Sequence, residues 1–247
     1  MKKESKKIIL FVSIFSIAMA FLESSVVVYL RKLFYPNGFN FPLKGFLDPS
    51  ILSIEWVREF ATIIMLLIVG IIAGNKLYKR FAYFIYAFAI WDIFYYIFLK
   101  LILNWPNSLF TWDLLFLIPW PWIAPVLAPL LCTILMLITA FIIIHFEDMG
   151  LLVKLKISEI ALLVIGVIIV LYSWLYLYGK IIISGGFVKD FFTLSTNSRF
   201  IEIINNYTPN YFNWPLFLLG LAISTIGIIK FYLRIKNLKH SKRFGIL

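Results

Sequence analysis

The sequence predicts an all-α, polytopic integral membrane protein: a bundle of six transmembrane helices forming one domain over residues 1–247. Three observations lead to this prediction. Hydrophobic residues make up 62% of the chain and charged residues 14%, whereas soluble proteins average about half and about a quarter. The apolar residues form runs of about 20, the length that crosses a hydrocarbon core of about 30 Å. Lysine and arginine are concentrated between these runs.

The predicted helices follow one another along the chain, separated by basic, polar or proline-containing segments. Their predicted bounds are 8–30, 56–74, 81–103, 122–144, 157–179 and 214–233. In the second helix, Gly70 and Gly74 have GxxxG spacing, which predicts a close contact with another helix. Residues 187–207 alternate loosely between apolar and polar residues and predict an interfacial helix.

The segment before the fourth helix is expected to be re-entrant or interfacial. Its apolar run at 109–118 is too short to cross the membrane. Pro119, Pro121, Pro125 and Pro129 follow, and they prevent a regular helix until about residue 125. Irregular backbone at membrane depth is tolerated where it is buried in protein or lines water. The segment therefore indicates either a cavity or a kinked helix entrance packed against its neighbours.

The basic residues predict a multi-pass protein of the cell membrane with both termini in the cytoplasm. With this orientation, fourteen Lys and Arg residues lie on the cytoplasmic side and six on the outer side, in agreement with the positive-inside rule. A basic cytoplasmic tail, 234–247, is expected to lie against anionic headgroups of the inner leaflet. The six outer residues are Arg31, Lys32, Lys44, Lys180, Lys189 and Arg199.

Ionisable residues within the apolar runs are the candidates for function, because a charge at the centre of a membrane helix costs at least about 2.5–3.5 kcal/mol. At a rise of 1.5 Å per residue, Glu23 lies about 22 Å along the first helix and Asp92 about 16 Å along the third. We expect polar stripes on the first three helices to converge on a cavity open to the outer face. The predicted ligand-binding residues are Glu23, Arg31, Arg58, Glu59, Asp92, Tyr96, Lys100 and Asp113.

Within that cavity, Glu23 and Asp92 would be neutralised by Arg58, Arg31 or Lys100. The alternative is that these charges form buried interhelical pairs that only fix the packing. In that case Glu23 would pair with Arg58, and Asp92 would accept a hydrogen bond from a Trp or Tyr.

Composition argues against several kinds of site. His145, His240 and Cys132 do not supply the converging ligands of a metal centre, so we expect no metal and no cofactor. The formal charge of +11 flanks the apolar runs instead of forming one face, which argues against nucleic acid as a partner. The sequence contains no HExxH, GxSxG, P-loop or dinucleotide-binding motif. Asp92 and Asp113 are the candidates for general acid–base chemistry.

Three functions remain open, all with the lipid bilayer as a partner. The favoured one is transport of a small polar or charged solute through the outer cavity. The second is an enzyme that acts on a lipid or lipid-linked substrate at the outer leaflet, with Arg31 or Arg58 holding a phosphate-like group. The third is a non-catalytic subunit or scaffold, in which the charges lock the helices and partner subunits lie in the membrane.

Overall fold

A computed structural model describes residues 1–43, 48–151 and 153–243, without the side chains of residues 191–192 and 239–243. The helix bundle is confirmed: six of the described helices are long and apolar enough to cross a membrane. They are α1 (Lys3–Phe34), α2 (Pro49–Ala73), α3 (Leu77–Leu103), α4 (Leu127–Asp148), α5 (Ile157–Ser184) and α7 (Trp214–Arg243). Lys44, tail residues 244–247 and the tail side chains at 239–243 lie outside the described residues.

The helices extend beyond the predicted apolar runs. α1 begins at Lys3 instead of residue 8, and α2 begins at Pro49 instead of residue 56. The early start of α2 has a local cause, because the Asp48 carboxylate accepts hydrogen bonds from the backbone N–H groups of Ser50 (2.9 Å) and Ile51 (3.3 Å). Hydrophobicity marks only the part of a helix that lies in hydrocarbon, whereas caps and charged end turns can continue the helix beyond it.

The segment before α4 is a β-hairpin. Strand β1 (Trp112–Phe116) pairs antiparallel with β2 (Trp122–Pro125), and Asp113 lies opposite Ala124. Both of these residues are fully buried. The start of α4 predicted at residue 122 is therefore wrong: residues 122–125 are a strand, and the helix begins at Leu127. Residues 123–125 of β2 are buried, whereas β1 is half-buried apart from Asp113, and Pro119 between the strands is exposed.

The bundle has two distinct ends. At the hairpin end lie the end of α1, the start of α2 and the β-hairpin, because Arg31 of α1 contacts Asp113 of β1. At the opposite end, here called the termini end, the backbone N–H of Lys2 contacts Asp148 at the end of α4, and Arg234 of α7 contacts Glu159 of α5. The start of α1 and the basic part of α7 therefore share one end.

Small residues allow two close helix contacts. A Cβ atom on Gly70 of α2 would lie 2.7 Å from the backbone nitrogen of Phe84 in α3, which confirms the contact predicted from the GxxxG spacing. A Cβ atom on Gly166 of α5 would lie 2.6 Å from the carbonyl oxygen of Gly220 in α7. The α5–α7 pair depends on this approach, which leaves no room for a larger side chain.

The predicted interfacial helix at 187–207 is divided in two. A 3-10 helix covers Phe187–Thr196 and the short helix α6 covers Ser198–Asn205. Phe200 and Ile204 of α6 are buried against the hairpin end of α5. The segment thus covers one side of the hairpin.

Candidate functional site

A cavity of about 140 Å³ lies at the hairpin end between α1, α2, α3 and β1. By volume it holds a few water molecules or a small solute, since liquid water takes about 30 Å³ per molecule. Of the eight residues predicted to bind ligand, six line its wall; they are Glu23, Arg31, Arg58, Glu59, Asp92 and Tyr96. The polar stripes on the first three helices therefore converge on one cavity, and the role of these residues in ligand binding stays a prediction.

Arg58 organises one side of this cavity. Its Nη1 donates a hydrogen bond to Glu23 of α1, and its Nη2 donates to Glu55, one turn earlier on α2, at 2.6 Å. Glu23 also accepts a hydrogen bond from the Thr62 hydroxyl at 3.2 Å. The pairing of Glu23 with Arg58 was foreseen, but here two carboxylates share the one guanidinium.

Glu59 joins α2 to the hairpin. Its Oε2 accepts a hydrogen bond at 2.9 Å from the backbone N–H of Leu117, the residue that follows β1. The Glu59 side chain is 5% exposed and, among the described residues, forms no ion pair at close range. Glu59 therefore brings a carboxylate to the cavity wall and anchors the hairpin above it.

Arg31 and Asp113 form a separate pair behind the cavity. Arg31 Nη2 donates to Asp113 Oδ1 at 2.9 Å, and the Tyr96 hydroxyl donates to Asp113 Oδ2 at 3.0 Å. The Arg31 guanidinium lies 3.7 Å from the ring centroid of Trp105 and 4.3 Å from that of Phe39, a cation–π arrangement. Asp113 does not line the cavity, and both its oxygens are occupied. The pair therefore fixes the hairpin on α1 and α3.

Asp92 has no such partner. Among the described residues its Oδ2 is buried without a hydrogen bond, and the same is true of the indole Nε1 of the preceding Trp91. Both residues line the cavity. Neither Arg31, Arg58 nor a Trp or Tyr donor neutralises this oxygen, contrary to expectation. These are a buried acceptor and a buried donor without partners, on two residues that both line the cavity, and a polar ligand or ordered water can satisfy such groups.

Lys100 does not take part in the cavity. Its side chain is exposed, and its Nζ donates hydrogen bonds to the backbone carbonyls of Asn104 (3.3 Å) and Pro106 (3.0 Å) just beyond the end of α3. The expectation that Lys100 neutralises Asp92 is therefore wrong. The four-residue spacing places Lys100 and Tyr96 on one face of α3, but a long side chain near a helix end turns toward solvent and free carbonyls.

The charges on the wall are unbalanced. Among the described lining residues, four carboxyl groups (Glu23, Glu55, Glu59 and Asp92) face two guanidinium groups (Arg31 and Arg58), and Arg31 is already paired with Asp113. Glu55 was not predicted as a site residue. The signal that could have found it is its three-residue spacing to Arg58, which places the two side chains on one helix face.

A second cavity of about 400 Å³ lies on the other side of Arg31, among the loops of the hairpin end. It shares Arg31, Tyr35 and Phe39 with the first cavity, and its other polar lining residues include Asn37 and Asn104. Arg31 and its aromatic neighbours therefore form the partition between the loop region and the acidic cavity.

The described residues contain no group of three or more His, Cys, Asp and Glu side chains arranged to hold a metal ion. Comparisons with protein-family models, with curated proteins and with solved structures found no match to this chain.

Proposed function

We propose that this chain binds the small cationic group of a solute in the acidic cavity and carries that solute across the membrane. The observation that supports this is the charge of the wall, where carboxyl groups outnumber guanidinium groups by four to two. In a cavity with low-dielectric walls such a surplus attracts cations and repels anions. Charges that served only to lock helices would pair in equal numbers and would need no cavity between them.

The enzyme alternative has less support from the geometry. Asp113 has both oxygens bound by Arg31 and Tyr96, so it is not free to exchange a proton with a substrate. Acid–base chemistry would then rest on Asp92 alone. A phosphate-like group would also meet the carboxylates of Glu55 and Glu59 beside Arg58, which disfavours an anion there.

We further propose that the hairpin end faces the outside of the cell and the termini end faces the cytoplasm, as the positive-inside rule predicts. The test uses Asn37→Cys at the hairpin end and Asn237→Cys on the exposed part of α7, each in a Cys132→Ser background. In intact cells a membrane-impermeant maleimide should label only position 37. Labelling of position 237 alone would reverse the orientation.

Ligand binding is tested on the purified full-length protein in mild detergent. Methylammonium chloride should raise the thermal unfolding midpoint saturably and by more than sodium chloride does at equal ionic strength, because a bound ammonium group stabilises the acidic cavity. Sodium acetate should add nothing to the effect of sodium chloride, because the cavity does not favour an anion. Asp92→Asn should weaken methylammonium binding by about tenfold. Asp190→Asn is the control, since Asp190 is exposed in the 3-10 helix and is not among the residues that line the cavity.

Transport is tested in proteoliposomes by uptake of radiolabelled methylammonium. The wild type should accumulate it faster than empty liposomes, and Asp92→Asn should lose most of the difference. Stabilisation by acetate instead of methylammonium would contradict the cationic solute. Binding without uptake would contradict transport and leave only a binding role. Absence of both binding and uptake would favour the scaffold hypothesis.

A further inference from the structure

A further cavity, distinct from the two described above, has an apolar lining and begins at Asp92. This groove, of about 410 Å³, runs between α3, α4, α5 and α7 and is closed at one end by the hairpin. Its lining is almost entirely apolar; Phe81, Leu135 and Val167 are typical, and Asp92 is its single charged lining residue among those described. Phe81 and Val167 are also exposed on the surface of the bundle, so the groove opens toward the lipid. An apolar chain in the groove would be shielded on several sides by protein.

The apolar groove and the acidic cavity share a wall. Trp91, Asp92, Leu115 and Phe116 line both. The unpaired Asp92 Oδ2 and the unpaired Trp91 Nε1 both belong to this wall. A polar group held there would therefore have carboxylates on one side and an apolar channel on the other. This is the environment of the junction between the head and the tail of an amphiphile.

We propose that the natural solute is a long-chain primary ammonium compound, with its ammonium group at Asp92 and its alkyl chain in the apolar groove. The proposal rests on the cationic solute proposed above and adds the chemical class of its tail. A primary ammonium carries N–H donors for the Asp92 acceptor, and its charge complements the carboxylates of the acidic cavity. Moving the alkyl chain from the lipid into the groove gains no hydrophobic free energy, because both surroundings are apolar. The groove therefore selects the chain by its shape and its van der Waals contacts.

The test compares a tailed and a tailless probe on the full-length protein in lipid nanodiscs. Equilibrium binding is measured for radiolabelled decylammonium and methylammonium. Thr139→Trp fills the groove from α4 and Val167→Trp fills it from α5, both away from Asp92. Ile138→Trp is the matched control, because Ile138 adjoins Thr139 on the same helix, is 48% exposed and is not part of the groove lining. Partition of decylammonium into the lipid is the same for every variant and cancels.

The expected result is that Thr139→Trp and Val167→Trp each weaken decylammonium binding by about tenfold and change methylammonium binding by less than about twofold. Ile138→Trp should leave both affinities within about twofold of the wild type. Uncharged decanol should not compete with decylammonium, whereas a groove that simply holds membrane lipid chains would accept it.

Three results would overturn the inference while leaving the proposed function intact. In the first, methylammonium binds but neither Thr139→Trp nor Val167→Trp selectively weakens decylammonium binding. In the second, decanol competes as well as decylammonium, and in the third, Ile138→Trp weakens decylammonium binding as much as Thr139→Trp. Failure of the wild type to bind either ammonium probe is a different result. It would contradict the proposed function itself, and the inference with it.

Discussion

The two ends of the bundle use the same residue types in opposite ways. At the termini end, Asp148 accepts hydrogen bonds from Lys79 (2.8 Å), from the Ser5 hydroxyl (2.7 Å) and from the backbone N–H of Lys2 (2.8 Å). Each carboxylate that forms an ion pair in the described part of this end pairs with a separate lysine or arginine. At the hairpin end, Glu23 and Glu55 share Arg58, and Asp92 has no cation in contact.

The comparison distinguishes ion pairs that hold helices together, here called locks, from charged residues that form a site. The pairs of the termini end connect segments far apart in sequence: Asp148 ties the end of α4 to α1 and α3, and Glu159 ties α5 to α7. They are matched, and none of these paired residues lines the cavities described above. The surplus carboxylates of the hairpin end surround a cavity. Replacing a residue at the termini end should therefore change stability alone, whereas replacing one at the acidic cavity should change ligand binding.

The largest effect on stability is expected from Arg31→Ala, which breaks the Arg31–Asp113 ion pair at the hairpin end. It leaves the fully buried Asp113 carboxylate without its cation, and loss of one partner of a buried ion pair costs about 3–5 kcal/mol. Unfolding by a denaturing detergent measures the change. The control is Arg31→Met combined with Asp113→Leu, which should recover at least half of the loss because no buried charge remains. A single-variant loss below about 1 kcal/mol would contradict the assignment of this pair as a lock.

At the termini end, Arg234→Ala should lower the free energy of unfolding by about 2 kcal/mol and leave methylammonium affinity unchanged. Arg234 donates two hydrogen bonds of 2.7 Å to Glu159, which is fully buried. The matched control is Lys230→Ala, one turn earlier on α7, since the exposed Lys230 ammonium contacts only the Ser158 hydroxyl among the described side chains. A loss of ligand affinity in Arg234→Ala would break the distinction between the two ends.

A smaller effect distinguishes two lysines within the termini end. The Lys79 side chain is 14% exposed and the Lys76 side chain 54% exposed, although both pair with acidic residues at the end of α4. Water screens the more exposed pair, so Lys76→Ala should cost less than about 1 kcal/mol and Lys79→Ala more than that. Thermal unfolding of the two variants side by side measures the order. Equal losses would show that burial does not determine the strength of these locks.

The smallest effect is local and depends on pH. Asp48, at the hairpin end but exposed to solvent, has its pKa lowered by hydrogen bonds from the Ser50 hydroxyl and then from the backbone N–H groups of Ile51 and Ser50. A carboxyl group whose pKa is lower in the folded protein stabilises it at higher pH, and this contribution is lost as the pH falls through the folded-state pKa. Hydrogen exchange of residues 50–53 should therefore speed up on acidification, after correction for the intrinsic rate.

Asp48→Asn is the control for this effect, because asparagine keeps the cap but does not titrate in this range. The start of α2 should then exchange at a rate that no longer depends on pH after the same correction. A pH dependence that persists in Asp48→Asn would assign the effect to another group.

Much of the bundle could be predicted because hydrophobicity is a local property of the chain. Each apolar run long enough to cross the lipid corresponds to a helix that is long and apolar enough to span a membrane, and the helical period placed Glu23, Glu59 and Asp92 on stripes that meet in one cavity. The GxxxG contact at Gly70 follows from spacing in the same way. The prolines after residue 118 also indicated that a regular helix begins late, though not that strands precede it.

Only the tertiary structure decided which charges meet. Arg31 pairs with Asp113, 82 residues away, because the β-hairpin inserts between the helices, and no local pattern distinguishes a short apolar hairpin from a re-entrant segment. Lys100 turns toward free carbonyls beyond the end of α3 and leaves Asp92 unpaired. The sequence alone determined which segments enter the lipid, since that depends on the residues of each segment. The rotation of the helices and the seating of the hairpin determined the cavity and the groove, since those depend on contacts between segments.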